Sequence, residues 1–92
     1  MVRIAVAEDD AAWAGQLRQY VEQYAAQTGR SLDLTVYSDG KSLVDEYHGQ
    51  FDVILLDVEM RFLDGMATAE IIRRTDPEVV IIFITNMDQY AI

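Results

Sequence analysis

The sequence predicts an α/β fold in which a parallel sheet is flanked by helices. Apolar residues follow a strand-like and a helix-like period in turn along the 92 residues, with no linker or repeat between them. Two strand-like runs, 51–56 and 78–84, are almost wholly apolar, which is typical of strands buried on both faces. Short strands that alternate with helices of this length indicate βαβ units. We therefore expect one small domain over residues 1–92.

The first half of the chain is expected to form two strands and two helices. Residues 3–7 are a short apolar run ended by three acids, which predicts the first strand. The period then becomes helical from Asp10, and Thr28-Gly29 ends the helix. Its packing face is predicted to hold the large apolar residues at helical spacing: Trp13, Leu17, Tyr20, Val21 and Tyr24. Residues 32–37 alternate as a second strand, and a short helix follows the turn at 38–40.

The second half repeats this alternation. The strand 51–56 ends at Asp57, and a loop with an Asp64-Gly65 turn leads to a helix over 66–74. The strand 78–84 ends at Thr85, and residues 88–92 look like the opening of a further helix. The count is four strands and three complete helices.

Composition excludes several classes of function. The net charge of −9 argues against direct binding of nucleic acid. The absence of cysteine excludes disulfides, thiol catalysis and thiolate metal sites. No apolar stretch approaches the ~18 residues of a membrane span, and the start of the chain does not read as a signal peptide. We expect a cytoplasmic protein.

Acidic residues stand where predicted strands end. The first strand is followed by Glu8, Asp9 and Asp10, the third by Asp57, and the fourth by Thr85. In an open parallel sheet, ligands bind beyond the carboxyl ends of the strands. Like charges about 5 Å apart repel by roughly 3 kcal/mol at an effective dielectric of 20, so a bound cation or a protonated carboxyl is expected. All-oxygen ligands indicate Mg²⁺, with Mn²⁺ as a substitute.

Such a site suits phosphoryl transfer. A carboxylate can attack phosphorus and form an aspartyl-phosphate, while a cation and a hydroxyl group stabilise the transferring oxygens. Each residue alone also fits a structural role, because aspartate and threonine commonly cap helices or form turns. Asp10 is expected to cap the first helix. The functional reading depends on the three strand ends meeting.

With these residues in view, the sequence resembles the receiver domain of two-component response regulators over its whole length. The family's motifs stand here as A-V-A-E-D-D at 5–10, I-L-L-D-V-E-M at 54–60 with D-G-M following, and I-I-F-I-T at 81–85. The resemblance implies a flavodoxin-like, doubly wound parallel sheet with strand order 2-1-3-4. It also implies that the fifth strand and the last helices are missing, because the chain stops before the end of its fourth helix.

The resemblance also implies residue roles and partners. Asp57 resembles the phosphorylation site, Thr85 the switch hydroxyl, and Glu8 and Asp9 the acidic pair that binds Mg²⁺ together with Asp57. The backbone carbonyl of Glu59 is the expected further ligand. The donor is expected to be a sensor histidine kinase. Residues 85–92 are similar to regulators with a LytTR-type output, so DNA is expected to be reached only through a missing C-terminal part.

Three departures from the family pattern stand out. Arg61 replaces the usual proline after the Met of the acceptor motif, which removes a φ restraint beside the acceptor. Asn86 follows Thr85 where a small apolar residue is usual. The lysine that ends the fifth strand is absent, and Lys41, the only lysine, follows the second strand and cannot be assumed to replace it. Without the fifth strand, residues 79–84 would form an exposed edge, and we expect self-association there.

Two alternatives are kept open. A phosphatase of the haloacid-dehalogenase type also uses an aspartyl nucleophile, but its D-x-D motif follows the first strand, whereas Asp57-Val58-Glu59 follows the third. A non-catalytic interaction fragment would keep the acidic site but fail to be phosphorylated.

His48 is expected to have a surface role, and Phe62 is a candidate partner contact.

Overall fold

The computed structural model describes residues 1–85, which form a parallel sheet between helices. The elements in chain order are β1 (Val2–Ala7), α1 (Ala11–Thr28), β2 (Leu32–Tyr37), α2 (Gly40–Glu46), β3 (Val53–Asp57), α3 (Gly65–Thr75) and β4 (Val80–Ile84). The strand order is β2-β1-β3-β4, and every pairing is parallel. The predicted order 2-1-3-4 is confirmed. The proposed further helix at 88–92, like Asn86, lies outside the described residues.

Each helix begins at an aspartate that caps it. The side chain of Asp10 accepts hydrogen bonds from the N–H groups of Ala12 and Trp13, at 3.0 and 3.2 Å. Asp39 caps α2 and Asp64 caps α3 in the same way. These carboxylates satisfy N–H groups that have no partner within the helix. The predicted cap at Asp10 is therefore confirmed.

The two faces of the sheet carry different helices. Side chains alternate along each strand, so Ala5, Ile54 and Leu56 face α2 and α3, whereas Ile4 and Leu55 face α1. The larger core lies on the α2–α3 side, and its buried members are Ala5, Ala7, Tyr37, Leu43, Phe51, Ile54, Leu56, Met60, Ala69, Ile72 and Val79. Because β1 and β3 are central and buried on both faces, their carboxyl ends are held rigidly.

The predicted packing face of α1 is only partly correct. Leu17 is buried, but Tyr20 and Tyr24 are half-exposed. Their rings border an open apolar groove between α1 and the sheet, whose floor includes Ile4, Leu55 and Ile82. A tyrosine has an apolar ring and a polar hydroxyl, so it can border such a groove without being enclosed.

The fourth strand begins two residues later than predicted. The side chain of Asp76 accepts hydrogen bonds from the N–H groups of Glu78 and Val79, which forms a turn. The guanidinium of Arg73 donates to the carbonyls of Asp76, Pro77 and Val79. Groups engaged in these contacts cannot start the ladder with β3, so β4 begins at Val80.

β4 lies at the edge of the sheet in the part of the chain that the structure describes. Val80, Ile82 and Phe83 are each about half exposed.

No helix within residues 1–85 is long and apolar enough to span a bilayer.

Candidate functional site

Three acids meet at the carboxyl ends of the central strands. Glu8 and Asp9 follow β1, and Asp57 is the last residue of β3. One carboxylate oxygen from each residue lies within 4.8 Å of the other two. The parallel pairing of Ala7 with Leu56 brings these strand ends together. The predicted convergence of these three acids is therefore what the fold produces.

The cluster is buried more deeply than its charge favours. Glu8 and Asp57 are each 1% exposed, and Asp9 is partly exposed. Glu8 Oε1 accepts the Asp10 N–H at 3.1 Å, and Asp57 Oδ1 accepts the Glu59 N–H at 3.3 Å. The second oxygens, Glu8 Oε2 and Asp57 Oδ2, have no donor among the described residues. Buried carboxylate oxygens without donors are energetically costly, so the site is built to hold a further group.

Burial changes the protonation of this pair. The pKa of Glu8 is raised to about 8, mainly by burial and also by the neighbouring Asp57 and Asp9, although the hydrogen bond from the Asp10 N–H favours the ionised form. Burial also raises the pKa of Asp57, whereas hydrogen bonds from Glu8 and from the Glu59 N–H lower it. Burial therefore favours the protonated form of Glu8 while no metal is bound.

The residues fit a hard divalent cation. The ligand set is entirely oxygen, and two of its oxygens are buried without donors. An open depression of about 550 Å³ adjoins the cluster, and its lining consists of Asp9, Val58, Glu59, Met60, Arg61, Asp64 and Met66. A cation could keep several waters in that space, as Mg²⁺ usually does. Glu59 lies on this wall, but its carbonyl as a ligand stays a prediction.

Thr85 lies at the same edge of the sheet. It follows Ile84, whose Cα is the register partner of Asp57 in the β3–β4 pairing. The Val58 N–H also donates to the Ile84 carbonyl at 3.1 Å, which ties the two strand ends together. The side chain of Thr85 is half-buried. Its predicted switch role is untested by this geometry and stays a prediction.

Gly65 supports the acceptor in a way that the sequence did not indicate. A Cβ at Gly65 would lie 2.1 Å from the Asp57 carbonyl oxygen. The Gly65 N–H donates to the Val58 carbonyl at 3.1 Å, so the first turn of α3 packs directly on the backbone of the acceptor. The Asp64-Gly65 pair predicted only a turn, and only a glycine allows this close approach.

The loop between β3 and α3 forms one wall of the site. The Arg61 N–H donates to Asp9 Oδ2 at 3.2 Å, and the Arg61 Nε lies 3.8 Å from the same oxygen. Phe62 is fully exposed with φ of 68°, and the Leu63 N–H donates to the Arg61 carbonyl at 2.8 Å. This is the hydrogen-bond pattern of a γ-turn with a positive central φ, which is rare and strained.

The other singled-out side chains lie elsewhere. Lys41 is on α2 and forms an ion pair with Asp45, so it does not replace a lysine at the site. His48 is exposed just after α2, in agreement with the expected surface role. Its ring nitrogen Nδ1 contacts the Glu46 carbonyl.

A parallel sheet with helices on both faces is a doubly wound α/β domain, and ligands of such domains bind beyond the carboxyl ends of the strands, where the three acids lie. The chain belongs to the response regulator receiver domain family, whose sequence model matches residues 4–92. This assignment favours the receiver hypothesis over the haloacid-dehalogenase alternative.

Known relatives agree with the family and the fold. The transcriptional regulatory protein PcoR of Escherichia coli is 32% identical over 89 residues, which are 96% of this chain and 37% of that protein. The chain thus spans little more than a third of that relative. The response regulator TrrA of Thermotoga maritima, solved in complex with Mg²⁺-BeF, is 23% identical with a TM-score of 0.81 over 98% of this chain and 74% of that one.

A second solved structure contains a kinase. The complex of histidine kinase ThkA with response regulator TrrA matches 92% of this chain and 69% of the compared chain, at 26% identity and a TM-score of 0.69. These structural matches show a receiver-type fold, and the family assignment makes the chain a receiver module of the two-component class.

Proposed function

We propose that Asp57 accepts a phosphoryl group from a sensor histidine kinase, with a divalent cation bound by Glu8, Asp9 and Asp57. The observation that carries the proposal is the acid cluster, in which Asp57 Oδ2 is buried and has no donor among the described residues. Mg²⁺ is the proposed ion, with Mn²⁺ able to substitute. Family membership and the kinase complex of a relative support the choice of donor.

The chemistry follows from the position of Asp57. One of its carboxylate oxygens bonds to phosphorus while the P–N bond of the kinase phosphohistidine breaks, and the imidazole nitrogen keeps that electron pair. The strand pairing and the contact with Gly65 fix the Asp57 backbone, so the nucleophile is oriented before the donor arrives. A cation bound to the three acids would offset the charge on the transferring oxygens. The Thr85 hydroxyl is proposed to bond one of them.

The phosphoryl group then shifts the domain between conformers that control an output. A preference of about 1–3 kcal/mol for one conformer is enough for such coupling. We propose control of transcription, because the relative PcoR is a transcriptional regulatory protein. A LytTR-type output stays a prediction, since most of residues 85–92 lie outside the described part. A cytoplasmic location is proposed from the family.

The test is the phosphoprotein mass after incubation with a small-molecule phosphodonor and Mg²⁺. We expect the mass to rise by one phosphoryl group in the wild-type protein and in Asp33→Asn, a control at an exposed aspartate of β2. Asp57→Asn should show no gain. A gain in Asp57→Asn would overturn the acceptor assignment. No gain in any protein would instead support the non-catalytic interaction hypothesis.

We also propose that the chain self-associates through β4. The strand is at the sheet edge of the described region and exposes Val80, Ile82 and Phe83, and such edges pair with other chains. Sedimentation over a concentration series should show association that Ile82→Lys reduces, because a charge on an edge strand opposes pairing. A wild-type protein that stays monomeric at high concentration would contradict this proposal.

A further inference from the structure

One cation faces the acid cluster from the β3–α3 loop. The main-chain N–H of Arg61 donates a hydrogen bond to Asp9 Oδ2 at 3.2 Å. The guanidinium Nε of Arg61 forms an ion pair with the same oxygen at 3.8 Å. Among residues 1–85, Arg61 is also the only cation that lines the depression beside the cluster, where Asp9, Glu59 and Asp64 lie as well. The Arg61 side chain is 82% exposed, but it is the positive group that the structure places beside Asp9.

Four other cations of residues 1–85 are engaged away from the site. Arg3 pairs with Asp52, Arg18 with Glu22, and Lys41 with Asp45. Arg73 is bound to the carbonyls after α3. The position of Arg61 therefore does not reflect a general excess of positive charge, because the chain carries a net charge of −9.

The backbone that presents Arg61 is restrained. Phe62, the next residue, has a positive φ that a bulky side chain rarely adopts, and the Leu63 N–H closes a tight turn onto the Arg61 carbonyl. Such a conformation persists only where the surroundings hold it. The hydrogen bond from the Arg61 N–H to Asp9 is one of these attachments, so the loop and the metal-site acid are coupled.

We propose that Arg61 is a positioning residue that sets the divalent-cation affinity of the site by acting as an internal counter-charge to Asp9. This rests on the proposed metal site at Glu8, Asp9 and Asp57. A cation bound there competes with the guanidinium for the charge of Asp9, and the two positive groups repel each other. Arg61 therefore stabilises the metal-free site and weakens binding of the ion.

The test is calorimetric titration of Mg²⁺ into the metal-free protein and three variants. Arg61→Gln removes the charge, Arg61→Lys keeps it, and Arg18→Gln is the matched control, since Arg18 loses an exposed ion pair of the same 3.8 Å length. For Arg61→Gln we expect Mg²⁺ to bind about three-fold to ten-fold more tightly than to wild type at low ionic strength. This difference in affinity should become smaller as added salt screens the charge. The other two variants should stay within about two-fold of wild type, because each keeps a positive charge at position 61.

The outcomes separate this inference from the metal site itself. Mg²⁺ binding by all proteins with an unchanged affinity in Arg61→Gln would overturn the counter-charge role and leave the metal site standing. Weaker binding in Arg61→Gln, or an Arg61→Lys variant that behaves like Arg61→Gln, would also overturn it, because charge would then not be the cause. If no protein binds Mg²⁺, the metal site fails and this inference fails with it.

Discussion

The close contact between Gly65 and the Asp57 backbone predicts that alanine substitutions at two helical glycines change the stability in opposite directions. In Gly65→Ala the new Cβ would meet the Asp57 carbonyl oxygen at 2.1 Å and its carbonyl carbon at 2.9 Å. Both groups belong to backbone, so neither can rotate away. Gly15 is also helical, but a Cβ there meets nothing within 4 Å.

The expected magnitudes follow from these distances. Ordinary contact would require the start of α3 to move by roughly 1 Å or more, and overpacking of this kind destabilises by about 1–3 kcal/mol. In Gly15→Ala the new Cβ meets no other atom, so only the higher helix propensity of alanine acts. This should stabilise the folded protein by about 0.5–1 kcal/mol. The two variants should therefore differ in unfolding free energy by about 1.5–4 kcal/mol.

Urea unfolding followed by circular dichroism measures both values, and phosphorylation by a small phosphodonor measures the site. Because displacement of a reacting group by about 1 Å can lower a rate by about 100-fold, Gly65→Ala should also be phosphorylated much more slowly. Gly15→Ala should be phosphorylated at the wild-type rate. A Gly65→Ala protein with wild-type stability and rate would refute the close approach.

Three further predictions concern charge, capping and the metal. The folded-state pKa of Glu8 is raised from 4.5 to about 8, so the unfolded chain ionises first as the pH rises. Without metal, stability should fall between pH 4.5 and 8, and Glu8→Gln should flatten that fall in urea titrations, whereas the exposed control Glu70→Gln should not. Asp10→Ala should lose about 1 kcal/mol of unfolding free energy in the same assay, because two N–H groups at the start of α1 lose their acceptor. Mg²⁺ should raise the thermal midpoint more at pH 8 than at pH 5, and an equal rise at both would contradict the protonated Glu8.

Local patterns predicted the elements well where local chemistry determines them. The bounds of β2, the cap at Asp10 and the helix end at Gly29 match because alternation, a capping carboxylate and a positive φ are properties of a few adjacent residues. The late start of β4 was missed because the guanidinium of Arg73 reaches forward from the preceding helix. The turn at Asp76, whose side chain accepts the N–H groups of Glu78 and Val79, is a local signal that the apolar pattern of this run obscured.

The candidate site was predictable as a set of residues but not as a set of contacts. Acids at strand ends indicated which side chains would meet, because parallel strands bring their carboxyl ends to one edge. The approach of Gly65 to Asp57 and the pairing of Arg61 with Asp9 depend on the path of the loop after β3. That path is fixed by the docking of α3, which involves residues distant in sequence.

The parallel pairing of the sheet has a consequence for the order in which the acids meet. Val2 pairs with Leu32 and Ile4 with Val53, so β1 is complete only after two long crossovers have closed. Loop closure must precede these non-local contacts. Glu8 and Asp57 therefore stay apart and hydrated until β3 docks, and the cost of burying their carboxyl groups is absent from partly paired chains. The acid cluster should then act on the kinetics of the domain mainly by accelerating unfolding, with little effect on the folding rate.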